Sequence, residues 1–197
     1  MGLTLHYKGR FGNPELLQSM IEEVEDIVQI YKWRYTINNT SFPKGSFNTN
    51  DHDKKVYGIS FTPPECETVS LCFLSNGRMS CSSLLKFYGD STDKTSQEFL
   101  YMVSVKTQFA GWGMHLFIVS LLKYLSKKYF SEFTVNDQGH YWETNDEEIL
   151  KQNFSRYTTL LDSVSTAFET FPVNEGETMN DYIERMMGFV HKKYPGG

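Results

Sequence analysis

The chain has 197 residues, 40% of them hydrophobic and 22% charged, with a formal net charge of -5. That length lets a compact domain bury roughly 70% of the surface its unfolded chain exposes, so no disulfide or metal staple is required. The acidic balance argues against nucleic-acid binding, which depends on clustered Lys and Arg to displace counterions from the phosphate backbone.

Leu3, Leu5 and Tyr7 alternate with Thr4, His6 and Lys8, the period of a half-buried strand, and residues 9–12 break it with two glycines. His6 stands where an N-myristoylation pattern wants Ser or Thr, and no charged and then apolar leader precedes this strand. Asn13 caps the next helix, with Pro14 at its first position, and Leu17, Ile21, Val24, Val28 and Tyr31 repeat at four and three on one face. This helix is expected to end near Lys32. Trp33, Tyr35 and Ile37 alternate in a second strand. Residues 43–55 are almost all polar, so they read as a mobile surface loop. Its Asp51-His52-Asp53 triplet reads as solvated loop and not as a metal site, because no further ligand has a fixed position beside it.

Tyr57, Ile59 and Phe61 form a strand stopped by Pro63 and Pro64, and residues 69–74 form another that runs into Asn76-Gly77. That dipeptide predicts a two-residue type I′ hairpin, which pairs Leu74 with Met79 and Cys72 with Cys81 and continues as a strand through Leu85 and Phe87. The third cysteine, Cys66, leaves an odd number and no CxxC pair, so free thiols in a reducing, cytoplasmic compartment are expected. After a turn-rich stretch, Phe99, Tyr101, Val103 and Val105 alternate with Leu100 and Met102, which predicts a central strand buried on both faces.

Residues 104–148 are the most distinctive part of the chain. They read as a strand, a glycine-punctuated turn, a helix over residues 114–130, a strand around residues 133–135 and an acidic, aromatic loop. This order predicts a parallel β-α-β crossover whose two polar loops share one sheet edge. The helix's longest near-apolar run, residues 116–122, is far short of the ~20 needed to span a bilayer, so no membrane association is expected. Lys123, Lys127 and Lys128, the only dense basic group, fall in its last turns, where cations complement the helix dipole. Two amphipathic helices close the chain. Thr144 and Glu147 suggest a capping box for the first, with Leu150, Phe154, Tyr157, Leu161, Val164, Phe168 and Phe171 on its apolar face. Thr178 and Asp181 open the second, whose face is Met179, Tyr182, Ile183, Met186, Met187 and Val190 and whose stop is Pro195.

The expected fold is therefore α+β, one domain over residues 1–197. It would hold a single mixed, mostly antiparallel sheet of about six or seven strands with one βαβ crossover. An N-terminal helix and a C-terminal helical pair, about residues 145–194, would pack on it. No Gly-rich phosphate loop, GxGxxG, GxSxG, HExxH or CxxC motif occurs, and neither a cofactor nor a metal is expected. Ligands of open α/β sheets collect at the carboxyl edge of the strands. There the sequence delivers Lys106, Gln108 and His115 from the first turn and Asp137, His140 and Glu143 from the second, with Trp112 and Trp142 nearby. Lys106 and the helix N-terminus could hold an anion while His115 or His140 carries a proton. The same two histidines with Asp137 or Glu143 would be a metal set only if they converged. Each of these residues also has a structural explanation, such as a half-buried His115 or a turn at Asp137. The leading expectation is a non-catalytic module binding a protein partner or a small ligand, its aromatics and C-terminal helices forming the surface. The alternative is a hydrolase or transferase acting on an anionic small molecule at the crossover edge.

Overall fold

The computed structural model describes residues 2–193, with the side chains of residues 164, 167, 168, 170 and 190–193 excepted. The expected apolar positions Val164, Phe168 and Val190 and the expected stop at Pro195 lie outside that description. The chain divides into two compact units, Met1–Leu150 and Lys151–Gly197.

The first unit is mixed α and β, but it does not build one large sheet. Two three-stranded antiparallel sheets form instead. The first contains β1 (Thr4–Phe11), β5 (Val103–Lys106) and β6 (Phe130–Asp137) in the order β5-β1-β6; the second contains β2 (Arg34–Ile37), β3 (Tyr57–Thr62) and β4 (Val69–Phe73) in sequence order. Six strands form among the described residues, and of those expected only the hairpin's return is lost. Residues expected to return from the Asn-Gly hairpin as a strand form α2 (Ser82–Tyr88), and the stretch expected to be turn-rich forms α3 (Lys94–Leu100), which takes Phe99 and Leu100 from the expected strand and leaves β5 to start at Val103. α3 is capped by Asp93, whose carboxylate accepts from Ser96 N at 2.9 Å. Leu84, Leu85 and Tyr88 sit at helical spacing and pack on Val56, Cys72, Leu74, Leu100 and Tyr101. That apolar cluster rewards a period of 3.6 over a period of two.

The hairpin register also shifts by one. Only Gly77 takes positive φ, at 81°, and Leu74 N bonds Arg78 O at 2.9 Å, so the loop has three residues and Phe73 faces Met79. A type I′ turn needs two left-handed residues; one such residue gives the longer loop. Cys72 consequently lies against Ser80, whose N–H bonds its carbonyl at 3.0 Å, and all three cysteines are free.

β1 joins the two sheets. On one edge it pairs with β6 along nearly its whole length; on the other it pairs with β5 from Thr4 to Tyr7 and then with the hairpin's return, where Met79 N bonds Gly9 O at 2.9 Å and Phe11 N bonds Gly77 O at 2.8 Å. Gly9 therefore lies inside β1 and does not end it. A Cβ there would stand 2.6 Å from Glu132 O and 2.9 Å from the Phe133 ring, so the close approach of β6 demands glycine. The Tyr7 hydroxyl crosses to β4, donating to Ser70 O at 2.9 Å and accepting from Ser70 N at 3.1 Å.

The early helix begins as a 3-10 turn (Pro14–Leu16) capped by Asn13 and continues as α1 (Leu17–Ile30), which buries Leu17, Met20, Ile21, Val24 and Val28. With α4 (Gly111–Tyr129), which contributes Ile118, Val119, Leu122 and Leu125, it closes a core shared with both sheets. Segment 43–55 carries no strand or helix. Its backbone is tied to the hairpin turn, with Asp53 N bonding Ser75 Oγ at 3.0 Å, while the Phe47 ring stacks edge-on against Phe42.

β5 and β6 both run antiparallel to β1, so they run the same way as each other with β1 between them, and α4 is the crossover. After α5 (Tyr141–Thr144), α6 (Glu147–Thr170) is capped by Asp146, two residues after the expected Thr144. Asp146 Oδ1 accepts from Glu148 N at 2.8 Å and Ile149 N at 3.2 Å, while Thr144 Oγ1 accepts from Asp146 N at 3.2 Å.

In the second unit, α7 (Met179–Lys193) opens on the Thr178 and Asp181 box, where Thr178 Oγ1 donates to Asp181 Oδ2 at 2.6 Å. Tyr182 and Met186 are buried with Phe171 packed against them, while Met179, Ile183, Met187 and Phe189 are exposed.

Candidate functional site

The crossover brings part of the expected constellation together. Thr107 N bonds Leu3 O at 3.0 Å and Gln138 N bonds Thr4 O at 3.3 Å, so the chain leaving β5 and the chain leaving β6 both clip onto the start of β1. Between these clips His115, from the first turns of α4, sits with Nε2 2.9 Å from Asp137 Oδ1 and Nδ1 2.7 Å from Thr107 Oγ1. Asp137 Oδ1 also accepts from Gly139 N at 2.7 Å, and Oδ2 accepts from Trp142 N at 2.8 Å. Burial works to raise the Asp137 carboxyl, but the His115 ring and the two backbone N–H donors outweigh it and hold it below the ordinary carboxylate range.

Thr107, His115 and Asp137 have the order of a hydroxyl nucleophile, base and orienting carboxylate. Their surroundings do not suit that chemistry. Relative exposures are 0%, 0% and 1%, and the Thr107 hydroxyl reaches the Leu3 carbonyl at 3.2 Å. A Cβ on Gly139 would stand 2.7 Å from His115 Nε2, so no substrate atom fits on that side. The cluster is a strut joining β1, β5, α4 and β6.

The other expected residues do not converge on it. Lys106 holds its ammonium 5.4 Å from the centre of the Phe109 ring, and its N–H donates to Glu67 Oε2 at 2.8 Å. The Gln108 side-chain oxygen lies against Gly2, Trp112 is exposed, and His140 and Glu143 stand in solvent on and beside α5. Trp142 is partly buried, with Lys123 Nζ 5.4 Å from its ring centre. No group of three or more His, Cys, Asp or Glu arranged to hold a metal occurs among the described residues. Nor is any helix among them long and apolar enough to cross a membrane.

A different part of the first sheet carries the charge. Lys8 and Arg10 share the polar face of β1 and, with Arg78 from the hairpin's return, line a cleft of ≈ 200 Å³. Glu132, Phe133 and Thr134 of β6 and the buried Tyr101 complete its walls. The Arg78 guanidinium carbon sits 3.3 Å from the centre of the Tyr101 ring. Arg10 Nη1 donates to Asn48 Oδ1 at 3.0 Å and Asn76 O at 3.1 Å.

Asn76, 0% exposed, is the hub. Its side-chain nitrogen donates to the Tyr101 hydroxyl at 3.3 Å and to Asn50 O at 3.4 Å, and its Oδ1 accepts from Arg78 N at 3.1 Å. One buried residue thus ties together the Arg10 guanidinium through its carbonyl and the Arg78 backbone, the Tyr101 ring and the Asn50 loop through its side-chain amide. Among the described residues none of Lys8, Arg10 and Arg78 forms an ion pair.

The sequence carried a signal for this site, since His6, Lys8 and Arg10 are consecutive polar-face positions of one strand. Ending that strand at Gly9 hid Arg10. Arg78 and Tyr101 had no pattern to reveal them, because a shifted hairpin register and a helix ending at Leu100 bring them together.

Comparison with protein-family models, with curated proteins and with solved structures returns no match. The functional reading rests on the geometry of these residues.

Proposed function

We propose that the chain is a non-catalytic binding module for a small anionic ligand, seated in the cleft between β1, β6 and Arg78. One observation carries this reading: three cations line a single cleft and none is neutralised by an ion pair among the described residues. Local repulsion among the three cations is a cost that a bound anion would offset. Both arginines are held in place before any ligand arrives, Arg78 by the Tyr101 ring and Arg10 by two oxygens. That lowers the ordering cost of a forked guanidinium contact to an oxyanion. The hydrolase or transferase alternative has less support, because of its two proton carriers His115 is sealed in the core and His140 stands in solvent apart from it.

Titration of inorganic phosphate into isotope-labelled protein, followed by amide chemical shifts, tests the proposal. Saturable shifts are expected at Lys8, Arg10, Arg78 and Thr134. Arg78→Ala should weaken binding about tenfold or more, since a charge-assisted hydrogen bond contributes ~1.5–3 kcal/mol. No saturable shift, shifts centred on Lys123 and Lys127, or an unchanged affinity in Arg78→Ala would each overturn it.

A further inference from the structure

We infer that the cleft selects a small zwitterion, an oxyanion carrying an ammonium group, in preference to a bare oxyanion; the inference rests on the anion-binding reading above. The observation behind it is a charge pair that faces across two strands without closing. Arg10 on β1 and Glu132 on β6 are direct register partners, and both line the cleft. Directly opposed cross-strand side chains stand on one face with Cβ atoms about 4.5–5.5 Å apart, close enough for Arg and Glu to pair readily. They do not, because Arg10 is turned toward Asn48 Oδ1 and Asn76 O. Lys8, whose register partner is Thr134, forms no ion pair among the described residues either.

The cleft is therefore polarised. Lys8, Arg10 and Arg78 offer donors, whereas Glu132 and Thr134 bring a carboxylate and a hydroxyl that can accept. A bare oxyanion would meet three cations and one repelling carboxylate. An anion with an ammonium group a few bonds away satisfies both sides at once, and Glu132 becomes the group that sets specificity. Size sets a second limit. At roughly 30 Å³ per water-sized atom, a cleft of ≈ 200 Å³ holds about seven non-hydrogen atoms, the scale of a small amino acid or a short amino-alkyl phosphate.

The test compares O-phosphoethanolamine with ethyl phosphate, which lacks the ammonium group, on the full chain and on Glu132→Gln by the same amide-shift titration. Wild type should bind O-phosphoethanolamine at least fivefold more tightly. Glu132→Gln should bind it more weakly and bind ethyl phosphate more tightly, which removes the preference. Glu132 is exposed and makes no side-chain hydrogen bond or ion pair among the described residues, so the variant should keep the wild-type amide spectrum elsewhere. If both phosphates bind, depend on Arg78 and respond to Glu132→Gln in the same direction, the zwitterion inference fails and the anion-binding reading stands. If neither binds, both fall.

Discussion

Asp137→Asn tests the strut at the crossover edge. The side chain is sealed from solvent, and its two oxygens together serve Gly139 N, Trp142 N and His115 Nε2 at 2.7, 2.8 and 2.9 Å. Asparagine keeps the shape but turns one acceptor into a donor. Whichever way the amide faces, a donor meets a donor, and either Trp142 N–H or Gly139 N–H loses its acceptor in the core. An unsatisfied buried donor costs ~1–3 kcal/mol, and removing one partner of a buried pair costs ~3–5 kcal/mol. The variant is therefore expected to lose about 3–5 kcal/mol, a large share of the ~5–15 kcal/mol typical of a domain. All three tryptophans, Trp33, Trp112 and Trp142, lie in the first unit, so urea denaturation followed by their fluorescence reports on this part of the molecule.

The pH dependence follows from the lowered Asp137 carboxyl. Because its folded value lies below the unfolded value of ~3.9, the unfolded chain binds the proton first as pH falls, and stability falls with it. The difference between wild type and Asp137→Asn should be fully present above about pH 5 and should shrink as pH drops below about 4 toward the lowered folded value. A difference under about 1 kcal/mol near neutral pH, or one that grows in acid, would refute the account of Asp137 as an ionised, multiply bonded strut.

Two further perturbations address how the sheets are joined. Tyr7→Phe removes the hydroxyl that serves both Ser70 N–H and Ser70 C=O across the sheets, and should cost about 2–4 kcal/mol in urea denaturation with faster hydrogen exchange at the Ser70 amide; a cost below about 0.5 kcal/mol would sink that reading. Gly9→Ala should destabilise by about 1–3 kcal/mol because the new Cβ meets Glu132 O and the Phe133 ring, although relief of glycine's backbone entropy alone would favour alanine; a more stable variant would show that β6 can give way.

Local periodicity was legible where neighbouring residues decide the structure. The alternation from Leu3 to Tyr7, the four-and-three spacing of α1, the Asn13 cap and the Thr178 and Asp181 box all depend on contacts within a turn or along one strand. Three of the expected site residues, His115, Asp137 and Lys106, sit at the crossover edge because chain direction and one helix suffice to place them there. The failures are of another kind. Residues 82–88 carry apolar spacings compatible with either strand or helix, and residues 94–98 carry too few apolar residues to show the helix that forms there. Only the cluster around Leu74 and Leu100 decides for helix at residues 82–88. The Asn-Gly turn was placed correctly, but its loop length depends on Asn76, whose side chain is drawn into the core by Tyr101 and Asn50.

By itself the sequence determined the first strand from Leu3 to Tyr7, the amphipathic helix α1 and the direction of the crossover, because each follows from residue spacing and chain connectivity. Tertiary structure decided that there are two small sheets instead of one, that His115 and Asp137 are sealed inside, and that Arg10, Arg78 and Tyr101 line one cleft. Those outcomes depend on burial and on pairings between residues tens of positions apart, where a one-residue change in hairpin register redirects which side chains meet.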